Sequence, residues 1–140
     1  MQVAAASSSV CAVAAMQLLL LFSPIAVAQL TRITDGNINS AVSAWTTNST
    51  TATTVYGDIG GWNVAAVTSM YNLFFTKKSF DQNIGGWNTA SVSNMDLMFS
   101  SAAAFNQNVA SWNTAKVSRM DYMFYSAAAF NQDIGGWNTA

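Results

Sequence analysis

Trp62, Trp87, Trp112 and Trp137 recur every 25 residues, and nearly everything between them recurs in phase. A short fixed period means that one unit cannot bury its own apolar face and must stack on its neighbours, so the chain is an array of coils. Aligned on tryptophan, the units read VYGDIGGWNVAAVTSMYNLFFTKK, FDQNIGGWNTASVSNMDLMFSSAAA, FNQNVASWNTAKVSRMDYMFYSAAA and the partial FNQDIGGWNTA. Apolar columns follow at once: Val55, Phe80, Phe105 and Phe130 in one, Ile59, Ile84, Val109 and Ile134 in another.

Each unit has two halves of different period. From Phe80 to Trp87, apolar residues alternate irregularly with polar ones and glycine, which predicts a short strand pairing in parallel with its copies. Gly85-Gly86 marks a sharp turn, although Ala110-Ser111 stands there in the third unit. Val92, Met95, Met98-Phe99 and Ala102 then form a helical stripe, repeated by Val117, Met120, Met123-Phe124 and Ala127, with Ser91 or Thr114 available as N-caps. The fold expected is an α/β repeat solenoid of leucine-rich-repeat type, one short strand and one short helix per coil. Ile38, Ala41-Val42 and Trp45 predict a capping helix over 34–45, with Thr34 or Asp35 as N-cap, and the Thr-rich stretch 46–54 reads as a loop. Its Asn48-Ser49-Thr50 is an N-glycosylation sequon.

The chain divides into a leader over 1–28, a cap and loop over 29–54 and the array over 55–140. Val10 to Phe22 is an apolar run followed by Ala26-Val27-Ala28, the pattern of a cleaved secretory signal, although no Lys or Arg precedes Arg32. The alternative of an uncleaved anchor needs about 20 apolar residues, more than the run supplies. Cleavage after Ala28 removes Cys11, so the mature chain has no disulfide and relies on packing between coils. The array stops at Ala140 in mid-repeat without a C-terminal cap, which reads as a piece of a longer array; as a native end it offers an open edge for self-association.

The motif F-N-Q-D-I-G-G-W-N-T-A, V-S-x-M-D-x-M-F and S-A-A-A resembles the repeat of BspA-like leucine-rich-repeat surface proteins. The leading ITDGNINSAVSAW and VYGDIGGWNV resemble the start of such arrays in unicellular eukaryotes, so that the likeness covers 31–140. It implies a secreted or cell-surface array associated with adhesion and with protein or matrix binding, and brings no catalytic motif. Lys77-Lys78, where the other units carry alanines, and Ala110-Ser111 depart from the pattern.

The residue inventory bounds the chemistry. There is no His and no Glu, which excludes Ser-His-Asp triads, zinc sites of the common types and, once Cys11 is removed, thiol nucleophiles; no cofactor is expected. Five basic residues face six aspartates, and a net charge of −1 leaves no surface to track a nucleic-acid backbone. Asp96 and Asp121, one coil apart, are the one candidate carboxylate pair for glycoside hydrolysis, against a plainer role as solvated residues. The columns Trp62, Trp87, Trp112, Trp137 and Asn63, Asn88, Asn113, Asn138 read as structural ladders, the asparagines pointing inward to bond turn backbone. The methionines read as core filler.

The exposed candidates are Asp81, Asn106 and Asn131, with Gln82, Gln107 and Gln132 beside them, a flat polar face for an extracellular protein or polysaccharide. The leading functional expectation is therefore a secreted or cell-surface binding module without catalysis. A structural spacer or envelope component is the alternative, an aspartate-dependent glycosidase the next, and an ice-facing array built on Thr89, Thr114 and Thr139 the last.

Overall fold

The computed structural model describes residues 30–139. The leader expected over residues 1–28, Cys11 included, lies outside them. No helix among the described residues is long and apolar enough to cross a membrane.

Two helices open the structure, α1 (Ile38–Thr47) and α2 (Ser49–Tyr56). The helix α1 buries Ile38, Ala41 and Val42, the stripe the sequence predicts, but begins four residues later than expected, with Asn37 as N-cap. Thr34 and Asp35 do not cap it. The Asn37 side chain is turned back instead, accepting from the Thr34 amide at 2.8 Å and donating to the Arg32 carbonyl. The Thr-rich stretch is not a loop: Thr46 and Thr47 end α1, and from Ser49 onward it belongs to α2. Asn48 caps it by accepting from the Thr51 amide, Ala52 supplies its buried contact, and the Thr53 and Thr54 hydroxyls donate to the carbonyls of Ser49 and Thr51. Gly57, with φ 78°, ends it, and a Cβ there would meet the Leu30 side chain at 2.9 Å. Val55 therefore belongs to α2 and is exposed, outside the phenylalanine column.

The array is not an α/β repeat solenoid, and the leucine-rich-repeat geometry does not apply. Among the described residues there is no sheet: parallel pairing is confined to isolated bridges joining Ser69, Asn94 and Arg119. The segment 80–87 is extended chain and turn, and the stripe from Val92 to Ala102 is a run of consecutive turns. The backbone explains why. Amides of Met95, Leu97, Phe99 and Ser101 donate to carbonyls of Arg119, Asp121, Met123 and Tyr125 in the next coil, while those of Met98, Ser100 and Ala102 close local turns on Met95, Leu97 and Phe99. The first coil repeats this, with Met70, Asn72, Phe74 and Thr76 donating to Asn94, Asp96, Met98 and Ser100. A helix would spend every amide on its own chain; here alternate amides go to the neighbour. The third residue of every second such turn lies in the left-handed region, a conformation that turns of type II share: Asn72, Thr76, Leu97, Ser101, Tyr122 and Ser126, all with φ between 55° and 61°.

Apolar columns fill the stack. The four tryptophans lie 6.1, 6.5 and 6.2 Å apart with planes within 10°, and each of the last three donates its indole N–H to the carbonyl of Ile59, Ile84 or Val109 one coil back. Phe74, Phe99 and Phe124 form a second column and Phe80, Phe105 and Phe130 a third, joined by pairs at 3.9–4.0 Å within each coil. Met70, Met95 and Met98 are fully buried, and Met123 nearly so.

Gly85 has a specific duty. Its φ is not positive; rather, a Cβ there would lie 2.5 Å from the Asn108 backbone carbonyl of the next coil, whereas a Cβ on Gly86 would meet nothing. Gly85→Ala is expected to cost about 1–3 kcal/mol through overpacking, and Gly86→Ala to change stability by less than about 0.5 kcal/mol. Thermal melting of the two variants checks the pair.

Asp35 serves the first coil instead of α1. Its carboxylate accepts from the Thr68 amide at 2.8 Å, the Thr68 hydroxyl at 2.7 Å and the Ser69 amide at 3.2 Å. Partial burial pushes this carboxyl upward, but the bonds from the Thr68 hydroxyl and the two amides outweigh it and leave it below its ordinary value of 3.8. With the folded value lowered, the ionised group stabilises fully above the unfolded value and ceases to as pH falls through the folded one. Asp35→Ala is expected to lower stability by on the order of 1 kcal/mol, the size of a lost side-chain cap. Urea midpoints followed below pH 4 should show Asp35→Asn losing less than the parent chain does.

Candidate functional site

Most columns named from the sequence are absorbed by the stack itself. Asn63, Asn88 and Asn113 do not point inward; they are exposed, and each Oδ1 accepts from the amide two residues on, at 3.0–3.1 Å. Asn138 is exposed in the same column, with its amide donating to the Thr114 hydroxyl. A second set of the same turn, missed in the sequence, uses Asn83, Asn108 and Asp133; its signal is an acceptor two residues before the first residue of each Gly-Gly or Ala-Ser pair. Thr89 and Thr114 are buried, with the Thr89 hydroxyl donating to the Asn113 carbonyl, so they form no exposed file. Asn48 is exposed at the N-cap of α2, with only its Oδ1 engaged in the cap.

The aspartate pair is split. Asp96 is 2% exposed, its Oδ1 accepting from the Asp121 amide at 2.8 Å and its Oδ2 ion-paired with Arg119 at 2.6 Å, whereas Asp121 is exposed. The solvated role expected of both holds for Asp121 alone. Arg119 and the next coil's amide make Asp96 a junction between coils.

The Asp/Asn and Gln columns do come together, but on each other. Asp81 Oδ1 accepts from the Asn106 amide and from Gln107 Nε2, both at 2.9 Å, and Gln107 Nε2 also reaches the Asp81 carbonyl at 3.2 Å. One coil on, Asn106 Oδ1 and its carbonyl accept from the Asn131 amide and Gln132 Nε2 at 2.9–3.0 Å. Gln82 heads this ladder with no coil above it, exposed and without a protein partner among the described residues.

Gln82 opens onto a cleft of about 400 Å³ between the cap and the first coil. Trp45 and Ser49 line it from the helices, Lys77, Lys78, Ser79 and Phe80 from the coil. Trp45 packs edge-on to Phe80 at 6.2 Å. Its buried indole N–H has no acceptor among the described residues, although the other four tryptophans each have one. Neither lysine forms an ion pair among the described residues. The same corner in the later coils carries alanines, and there the Ala104 and Ala129 amides donate to the carbonyls of Lys78 and Ala103. Ser79, their equivalent in the first coil, has no coil above to receive its amide. The cleft is thus a cluster of donors and cations that the repeat leaves unspent, 0.5 kcal/mol or more being forgone at about each unmade bond. The sequence flagged both ingredients, the lysines as a departure and Gln82 as a polar column, without placing them together.

Gln107→Ala and Gln132→Ala should each cost about 1 kcal/mol, while Gln82→Ala should stay within about 0.5 kcal/mol. Denaturant midpoints of the three variants separate ladder from free amide.

Comparison with curated proteins and with solved structures finds no match to either. The profile of the family described as "Mycoplasma protein of unknown function, DUF285" matches residues 46–140, which takes in the last two residues of α1, α2 and the whole array. The chain belongs to that family.

Proposed function

We propose that the chain is a non-catalytic interaction module of a secreted or cell-surface protein of BspA-like type, binding an extracellular protein, matrix component or polysaccharide. The apolar run Val10–Phe22 with Ala26-Val27-Ala28 supports export, and the repeat motif supports the kinship. The observation that carries the binding reading is the cleft between cap and first coil, where two lysines without an ion pair among the described residues, Gln82 and the Trp45 indole converge outside the repeating pattern. Binding sites are concave surfaces with a few convergent polar groups on an apolar floor, and Trp45 with Phe80 provides that floor. The polar face is a weaker candidate, because Gln107 and Gln132 spend their amide nitrogens inside the stack. A spacer without ligand would leave the convergence of donors unexplained.

The test is attachment of the full chain to immobilised matrix proteins and polysaccharides as salt is raised. Saturable, salt-sensitive attachment to one of them is expected, falling at least about tenfold in the Lys77→Ala/Lys78→Ala double variant with unchanged circular dichroism. Attachment indifferent to that variant, or none across the panel, overturns the reading.

A further inference from the structure

The ladder itself contains a recognition event, repeated. At each step of the later coils, a backbone amide and the next residue's glutamine Nε2 close on one side-chain oxygen, and the same Nε2 reaches the main-chain carbonyl of the residue that owns it. Asn106 and Gln107 of the second coil hold the carboxylate of Asp81 from the first; Asn131 and Gln132 of the third hold the carboxamide of Asn106 from the second. Such a grip reads a side chain and its own backbone at once, so it recognises an Asp or Asn residue within a peptide, not an isolated anion.

The first coil carries the same grip unfilled. Asp81 supplies the amide and Gln82 the Nε2, and neither donates to any other described residue. Beside them stand Lys77 and Lys78, which the other coils lack. Where the later coils take either Asp or Asn, two adjacent ammonium groups bias the first toward the charged member of the pair. The cap covers the coil at Asp35, through Thr68 and Ser69, but leaves this corner open as the cleft.

We propose that the free ladder step at Asp81 and Gln82, with Lys77 and Lys78, is a docking site for an aspartate in an extended peptide segment of a partner protein. The segment would lie where a coil above would lie, its carboxylate on the Asp81 amide and Gln82 Nε2 and its main-chain carbonyl on the same Nε2. Ser79 offers a further backbone amide to the segment, as Ala104 does to Lys78. This is the β-augmentation principle applied to a coil of turns: main-chain bonds give affinity and one side-chain grip gives the choice of residue. It rests on the cleft being the binding region and names what enters it.

The test uses the full chain, labelled with 15N, and an acetylated, amidated Ala-Ala-Asp-Ala-Ala peptide, so that the probe has a single carboxylate. Saturable shifts are expected at the Asp81 amide and the Gln82 side-chain NH2, with affinity falling about tenfold for Gln82→Ala and again for Lys77→Ala/Lys78→Ala. The Asn counterpart should bind more weakly and the Ala counterpart not at all. Glucuronate shifting the same resonances as strongly as the peptide would overturn the peptide assignment, as would peptide shifts unchanged by Gln82→Ala. No shift with any probe, while surface attachment still depends on the lysines, defeats this inference alone; loss of both defeats the cleft as the binding region.

Discussion

The structure depends on a division of labour among backbone amides. From Met70 to Thr76, and again from Met95 to Ser101, every second amide is handed to the next coil and the intervening ones close local turns. That alternation demands left-handed residues at two positions per coil, at about 1–2 kcal/mol each for residues other than glycine. Four bonds to the neighbour return about 1 kcal/mol each, so the backbone alone comes near to balance. What tips it is the aromatic registry, since pairs such as Phe74–Phe99 at 5.3 Å form only when successive coils sit directly above one another.

The same logic governs the start of the stack. A coil's upper face displays donors that expect a neighbour's oxygens, and the cap must supply them or leave them to solvent. At Thr68 and Ser69 it supplies them through the carboxylate of Asp35, standing in for the carbonyls that receive the Ser93 and Ser118 amides lower down. At Ser79, Asp81 and Gln82 it supplies nothing. The cap is half a coil in hydrogen-bonding terms, and the missing half is where the cleft lies.

What could be read beforehand was the registry. Trp87, Phe105, Ile84, Met95, Met98 and Met123 stand in the core positions that their columns require, because stacking at a fixed period puts like on like. Secondary structure was not legible from the same residues. Val92, Met95, Met98 and Ala102 recur at three- and four-residue intervals, and a ribbon of turns closed by bonds between residues three apart gives the same inward spacing as a helix. The Thr-rich stretch misled through composition, since its β-branched residues are poor helix formers, while Asn48 within it and Gly57 after it were proper cap signals. The Asp/Asn and Gln columns look like a wet face, and a single sequence cannot say whether an amide's partner is water or the next coil. Their recurrence in lockstep, acceptor then glutamine in successive units, was the one hint that each pair partners the next.

Charge is what a column of this kind can least repeat. Asn and Gln both donate and accept, so an amide column satisfies itself coil on coil, whereas a column of lysines would set like charges a few ångströms apart along the stack. Alanine stands at the corner occupied by Lys77 and Lys78 in the following coils, and Arg119 is tolerated because Asp96 of the coil before it takes its charge. A repeat array thus favours neutral or compensated ladders inside, while Lys77 and Lys78, without an ion pair among the described residues, stand where the array begins. The composition shows the first consequence, with charged residues at only 8%. The second sets these lysines at the junction with the cap, where a coil has donors to spare and the repeat no longer dictates which side chains stand beside them.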